Sequence, residues 1–77
     1  MQTIEFRLDP QHQYIQLCNL LKLAGIASSG GQGKLLVANG GVTVDHRLEN
    51  RKTAKIYAGQ VVACQGASIS VIADGGT

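Results

Sequence analysis

The sequence has no tryptophan, one phenylalanine, one proline, two tyrosines and two cysteines in 77 residues. With so few rings, and with Phe6 and Tyr14 assigned to the core by their spacing, a platform on which successive bases stack is not expected. Cys18 and Cys64 stand far apart without a CxxC pattern, so a buried free thiol is expected at each. Together with His12 and His46 they do not assemble a zinc set, and no metal is expected. No apolar run approaches the ~20 residues that cross a bilayer. The opening MQTIEFRLD carries Glu5, Arg7 and Asp9 where an export signal would hold an apolar block, which implies a cytoplasmic protein with no membrane partner. Catalytic pairings are missing too. Ser28 and Ser29 have no evident histidine–acid partners and the five acids form no pair, so neither an enzyme nor a cofactor is expected.

What charge there is lies unevenly. The chain is net +2, yet between Gly25 and Gly59 five cations (Lys34, Arg47, Arg51, Lys52 and Lys55) meet only Asp45 and Glu49. The remainder is slightly acidic. An anionic partner for the middle of the chain follows from that asymmetry, although a merely solvated basic face has the same composition. A chain this short is expected to fold as one thin-cored domain over 1–77, burying only about 60% of its unfolded surface.

TIEFRL alternates, with Ile4, Phe6 and Leu8 on one side, as a half-buried strand does. Asp9-Pro10 is a helix-start signal, and the spacing of Tyr14, Leu17, Leu20, Leu21 and Ala24 predicts a helix over about 11–24 that ends at Gly25 and exposes His12 in its first turn. Ser29-Gly30-Gly31-Gln32 fits a capping box, and Gly33, Leu36, Val37 and Gly40 recur on one helical face, with Gly33 there to admit another backbone. Beyond Asn39-Gly40-Gly41 every apolar pattern has period two. Strands are expected at 42–44, around Ala54 and Ile56, at 61–64 and at 68–72. Turns are expected at Asp45-His46, with Leu48 resuming the inward face, at Ala58-Gly59 and at Gln65-Gly66, and a loose tail at 74–77.

The glycine run invites other readings. Gly33-Lys34 matches the end of a phosphate-binding P-loop, but Ser28 and Leu35 stand where the motif needs glycine and a hydroxyl. Gly30-Gly31-Gln32 is the tripeptide at the tip of peptide-release factors, there carried on a much larger domain. Gly30–Gly33 is a GxxG between two helices, as in KH domains, but no third helix is predicted. A helix start explains the run better. Its backbone amides at Gly30, Gly31 and Gln32, with the helix dipole and Lys34 nearby, form an unobstructed phosphate seat.

The segment LAGIASSGGQGKLLVANGGVTVDHRLENRKTAKIYAGQVV resembles the RNA-binding domain named after ribosomal protein S4. The matching features are Gly25-Ile26-Ala27, Ser29, Gly40, Val42-Thr43-Val44 and Gly59-Gln60, within residues 14–73. LLKL, SG-x-Q-x-K and the short first strand are similar to the small stand-alone YbcJ-type bacterial members. Departures fall at Gly30, where many members have arginine, at Gly33, at Asp45-His46 and at Gln60. The resemblance implies an α+β fold, two packed helices against a small, mostly antiparallel sheet (the alpha-L motif). It also implies an RNA-binding face on the second helix, with Lys34 at the family's basic position. The expectation is a non-enzymatic, monomeric protein that binds structured RNA, ribosomal or tRNA-like, through phosphates and shape. Its site residues would be Lys34, Arg47, Arg51, Lys52, Lys55, Gly30, Gly31 and Gln32, and the ribosome a possible assembly. The alternative is a ribosome-associated protein-interaction module with little direct RNA contact.

Overall fold

The computed structural model of the chain describes residues 2–73; the expected tail at 74–77 lies outside them. Alternation in the first segment becomes β1 (Gln2–Leu8), followed by β2 (Tyr14–Gln16), α1 (Leu17–Leu23), α2 (Gly30–Ala38), β3 (Val42–Val44), β4 (Arg47–Leu48), β5 (Lys55–Tyr57), β6 (Val61–Cys64) and β7 (Ala67–Ala73). Five strands form one sheet in the order β1-β7-β6-β3-β4, antiparallel except for the parallel pair β1–β7. A separate ribbon pairs β2 with β5, antiparallel. The α+β expectation of two helices against a mostly antiparallel sheet is met.

One core holds these layers together. Leu17, Leu20 and Leu21 of α1 are fully buried with Val37 of α2, Val42 of β3, Ile56 of β5, Val62 of β6, and Ile69 and Val71 of β7. Each such side chain contributes about 1.5–3 kcal/mol by leaving water. Cys18 and Cys64 are buried free thiols, and burial pushes the Cys64 thiol above its ordinary value, which keeps it protonated and inert at neutral pH.

The first helix is shorter than its apolar spacing predicts, and the reason is local and then tertiary. The Asp9 carboxylate accepts the Gln11 N–H at 2.8 Å and its carbonyl accepts the His12 N–H at 2.9 Å, so Asp9-Pro10 closes a turn instead of opening a helix. His12 is exposed in that turn. Tyr14–Gln16 then pairs with Lys55–Tyr57, and the helix begins only at Leu17, whose N–H donates to the Ala54 carbonyl. Tyr14 therefore leaves the expected core stripe. A second departure is Leu48, which sits 65% exposed on the two-residue edge strand. Ala54 and Ile56 face inward as their alternation requires.

Both helix stops and both hairpin turns follow residue chemistry. Gly25 (φ +83°) and Gly40 (φ +77°) leave their helices in the left-handed region. Asp45 and His46 take φ of 52° and 69°, the geometry of a two-residue mirror-image turn, and Gln65-Gly66 repeats it.

Candidate nucleic-acid interface

Two serines and one glutamine shape the loop into α2. The Ser29 hydroxyl oxygen accepts the Gln32 N–H at 3.1 Å, as an N-cap does. The return arm of the expected capping box goes one residue further back: Gln32 Oε1 accepts the Ser28 N–H at 2.8 Å and also the Ser28 hydroxyl. The Gly33 N–H donates to the Ser29 carbonyl at 3.0 Å. The Gln32 amide, expected to be free for phosphate, is thus occupied by the cap. The Gly30 and Gly31 amides make no hydrogen bond among the described residues. A helix start leaves such donors orphaned at the positive end of its dipole, where an anion satisfies them.

Gly33 fixes where that helix start sits. A Cβ there would lie 2.7 Å from the Cys18 carbonyl oxygen, so only glycine lets α2 lie this close on α1. From the other side the Cys18 N–H donates to the Lys52 carbonyl at 3.1 Å. Cys18 therefore brings Gly33, with its neighbour Lys34, and Lys52 together around the first turn of α1. Both lysine side chains are exposed. Asn19 joins them: its Oδ1 is 4.0 Å from where a Cβ on Gly30 would stand. Nothing in the sequence marked Asn19, because its place beside Gly30 depends on the helix–helix contact.

The remaining cations are arranged differently. Arg51 is bound to Glu49, Nε to Oε2 at 3.2 Å and Nη2 to Oε1 at 3.4 Å, with the guanidinium side 77% and the carboxylate side 19% exposed. The arginine's hydrogen bonds hold the Glu49 carboxyl below its usual range. Arg47 lines an open depression with Asp45, Glu49 and Gln60 and makes no ion pair among the described residues. Asp45 itself accepts the Val61 N–H at 3.0 Å and the Gln60 Nε2 at 3.3 Å, while Gln60 Oε1 accepts the Tyr57 N–H at 2.7 Å. Those bonds lock the β3–β4 hairpin to the turn after β5. Lys55 lies on the β2–β5 ribbon, its Nζ 5.1 Å from the Tyr14 ring centroid. Among the described residues no group of three or more histidine, cysteine or acidic side chains is placed to hold a metal ion.

Comparison with known proteins agrees with this geometry. The model of the S4 domain family matches residues 8–72. Over 63 residues the chain is 48% identical to the "Putative RNA-binding protein YbcJ" of Escherichia coli (strain K12), covering 82% of this chain and 90% of that one. It is 37% identical over 54 residues to the "Probable ribosome maturation protein RlbA" of Bacillus subtilis (strain 168), covering 70% of this chain and 76% of the relative. The solution structure of Escherichia coli YbcJ, described as revealing an alpha-L motif involved in RNA-binding, superposes with a TM-score of 0.71 at 43% identity, over 94% of this chain and 90% of the other.

Proposed function

The chain belongs to the S4 domain family, and on that premise we propose that it is a non-enzymatic, cytoplasmic RNA-binding protein that holds structured RNA by its phosphates. One observation carries the reading: the unpartnered Gly30 and Gly31 amides open the second helix beside Lys34, with Lys52 brought in across Cys18. Bare peptide donors, a helix dipole and two mobile ammonium groups suit a phosphate strand, and none of them reads a base. Lys55 extends the contact along the ribbon. Arg51 contributes less at neutral pH because Glu49 offsets it, and Arg47 stands at the hairpin away from the two seat lysines. The relatives' names support RNA as the ligand, and that of the Bacillus subtilis relative supports a ribosomal RNA and association with the ribosome. The protein acts as a monomer.

A salt series with a labelled RNA stem-loop tests this. With about four phosphates neutralised, log K falls against log salt with a slope of roughly −3 to −4. Lys34→Glu flattens that slope by about 1 or more and weakens binding about tenfold at low salt. A flat salt response, or unaltered binding by the variant, removes this face and leaves the salt-insensitive protein-docking role.

A further inference from the structure

The chain's two tyrosines, Tyr14 and Tyr57, stand opposite each other in register across the β2–β5 ribbon. Their ring centroids are 5.8 Å apart with planes tilted by 49°. The ribbon's other face carries Ile15 and Ile56, which pack on the core, so strand alternation turns Tyr14, Gln16, Lys55 and Tyr57 to the outside together. The two tyrosines remain 37% and 45% exposed. Tyr14 and Gln16 also border an open groove of about 800 Å³ that Asn19 and Lys22 of α1 line as well. The Lys55 ammonium, 5.1 Å from the Tyr14 ring centroid, selects against an apolar or cationic occupant. A flat, polarisable group that carries negative charge fits best.

The ribbon continues directly into the phosphate seat. Gln16 pairs with Lys55, the Leu17 N–H reaches the Ala54 carbonyl, and the Cys18 N–H reaches that of Lys52, beside Gly33. From Tyr14 to Leu17, where α1 begins, is three steps, roughly 10 Å at strand spacing, within reach of the same RNA strand.

We infer that the exposed face of the β2–β5 ribbon is a stacking seat for one unpaired base of the bound RNA. Tyr57 offers a ring face, the tilted Tyr14 ring walls the seat, and Lys55 neutralises the phosphate of the stacked nucleotide. Gln16 presents an amide to the base edge. This rests on the RNA-binding reading and adds to it a demand for a nucleotide outside a helix, which phosphate contacts alone do not make.

With no tryptophan in the chain, tyrosine emission reports this seat alone. The native protein is titrated with an unlabelled RNA hairpin bearing a loop of unpaired adenosines and, separately, with the blunt duplex of the same stem. Fluorescein-labelled copies report total binding by anisotropy. The hairpin quenches tyrosine emission and the duplex does not. Tyr57→Leu, which keeps apolar bulk but has no ring, raises the hairpin's Kd about tenfold and leaves the duplex's unchanged, whereas Tyr57→Phe binds both as the native protein does. Thermal melts confirm that each variant is folded. Salt-sensitive anisotropy with unaltered emission, or equal hairpin affinity for Tyr57→Leu, overturns the stacking seat and leaves phosphate binding intact. Failure to bind either RNA overturns both.

Discussion

Gly33 shows how one missing carbon sets the distance between the two helices. In isolation Gly33→Ala favours a helix by up to about 1 kcal/mol. Here the new Cβ meets the Cys18 carbonyl oxygen at 2.7 Å, a backbone atom that cannot rotate away. Overpacking of this kind costs about 1–3 kcal/mol, so the variant is expected to lose on the order of 1–2 kcal/mol in urea unfolding. It also pushes Lys34 away from Lys52 and weakens RNA binding beyond what the lost stability explains. Glycine at this position was legible as a demand for close approach. The identity of the approaching backbone was not, because Cys18 and Gly33 meet only through the helix packing.

At the scale of the element, the β3–β4 hairpin places Asp45 and His46 at positive φ, which costs a side-chain-bearing residue roughly 1 kcal/mol. Asp45 offsets that cost by bonding Val61 and Gln60, whereas His46 has no hydrogen-bond partner among the described residues. His46→Gly is therefore expected to stabilise the fold by up to about 1 kcal/mol, read as a higher Tm with RNA affinity unchanged. A lower Tm would mean that the imidazole holds the turn. The hairpin's position was readable from Asp45-His46 between two alternating runs. The reach of Asp45 across to the turn after β5 was not, since those groups are fifteen and sixteen residues away in sequence. The same distinction explains α1. Its apolar spacing runs back to Tyr14, but the cross-strand pairing with Lys55–Tyr57 takes three residues from the helix and gives them to the ribbon.

Across the whole molecule, the five midchain cations do not act as one patch. Lys34, Lys52 and Lys55 follow the α1–ribbon line, while Glu49 tempers Arg51 and Arg47 stands on the β3–β4 hairpin. Removing the Glu49 charge should redistribute this field. Glu49→Gln frees the Arg51 guanidinium and adds one positive charge, so RNA binding at neutral pH is expected to tighten severalfold and its salt slope to steepen by up to about 1. An unaltered slope would place Arg51 outside the interface. The same pair makes stability respond to acid. Because the folded-state pKa of Glu49 is lowered, its contribution is complete at neutral pH and is lost as pH falls below the ordinary value of 4.5 and through the depressed one. The Glu49→Gln variant should lack that acid step in a pH series of melts.

Alternation, caps and glycine stops act over a few neighbouring residues, so β1, β3, β6, β7, the start of α2 and the Asp45-His46 and Gln65-Gly66 turns were settled by the amino-acid order. Where distant segments meet is a matter of packing. The parallel β1–β7 pairing, the exchange of Tyr14–Gln16 from helix to strand, the meeting of Gly33 and Lys52 at Cys18 and the facing tyrosines all join groups far apart in the chain. Those contacts exist only once the shared core of α1, Ile56 and the sheet excludes water, and no short-range signal specifies them.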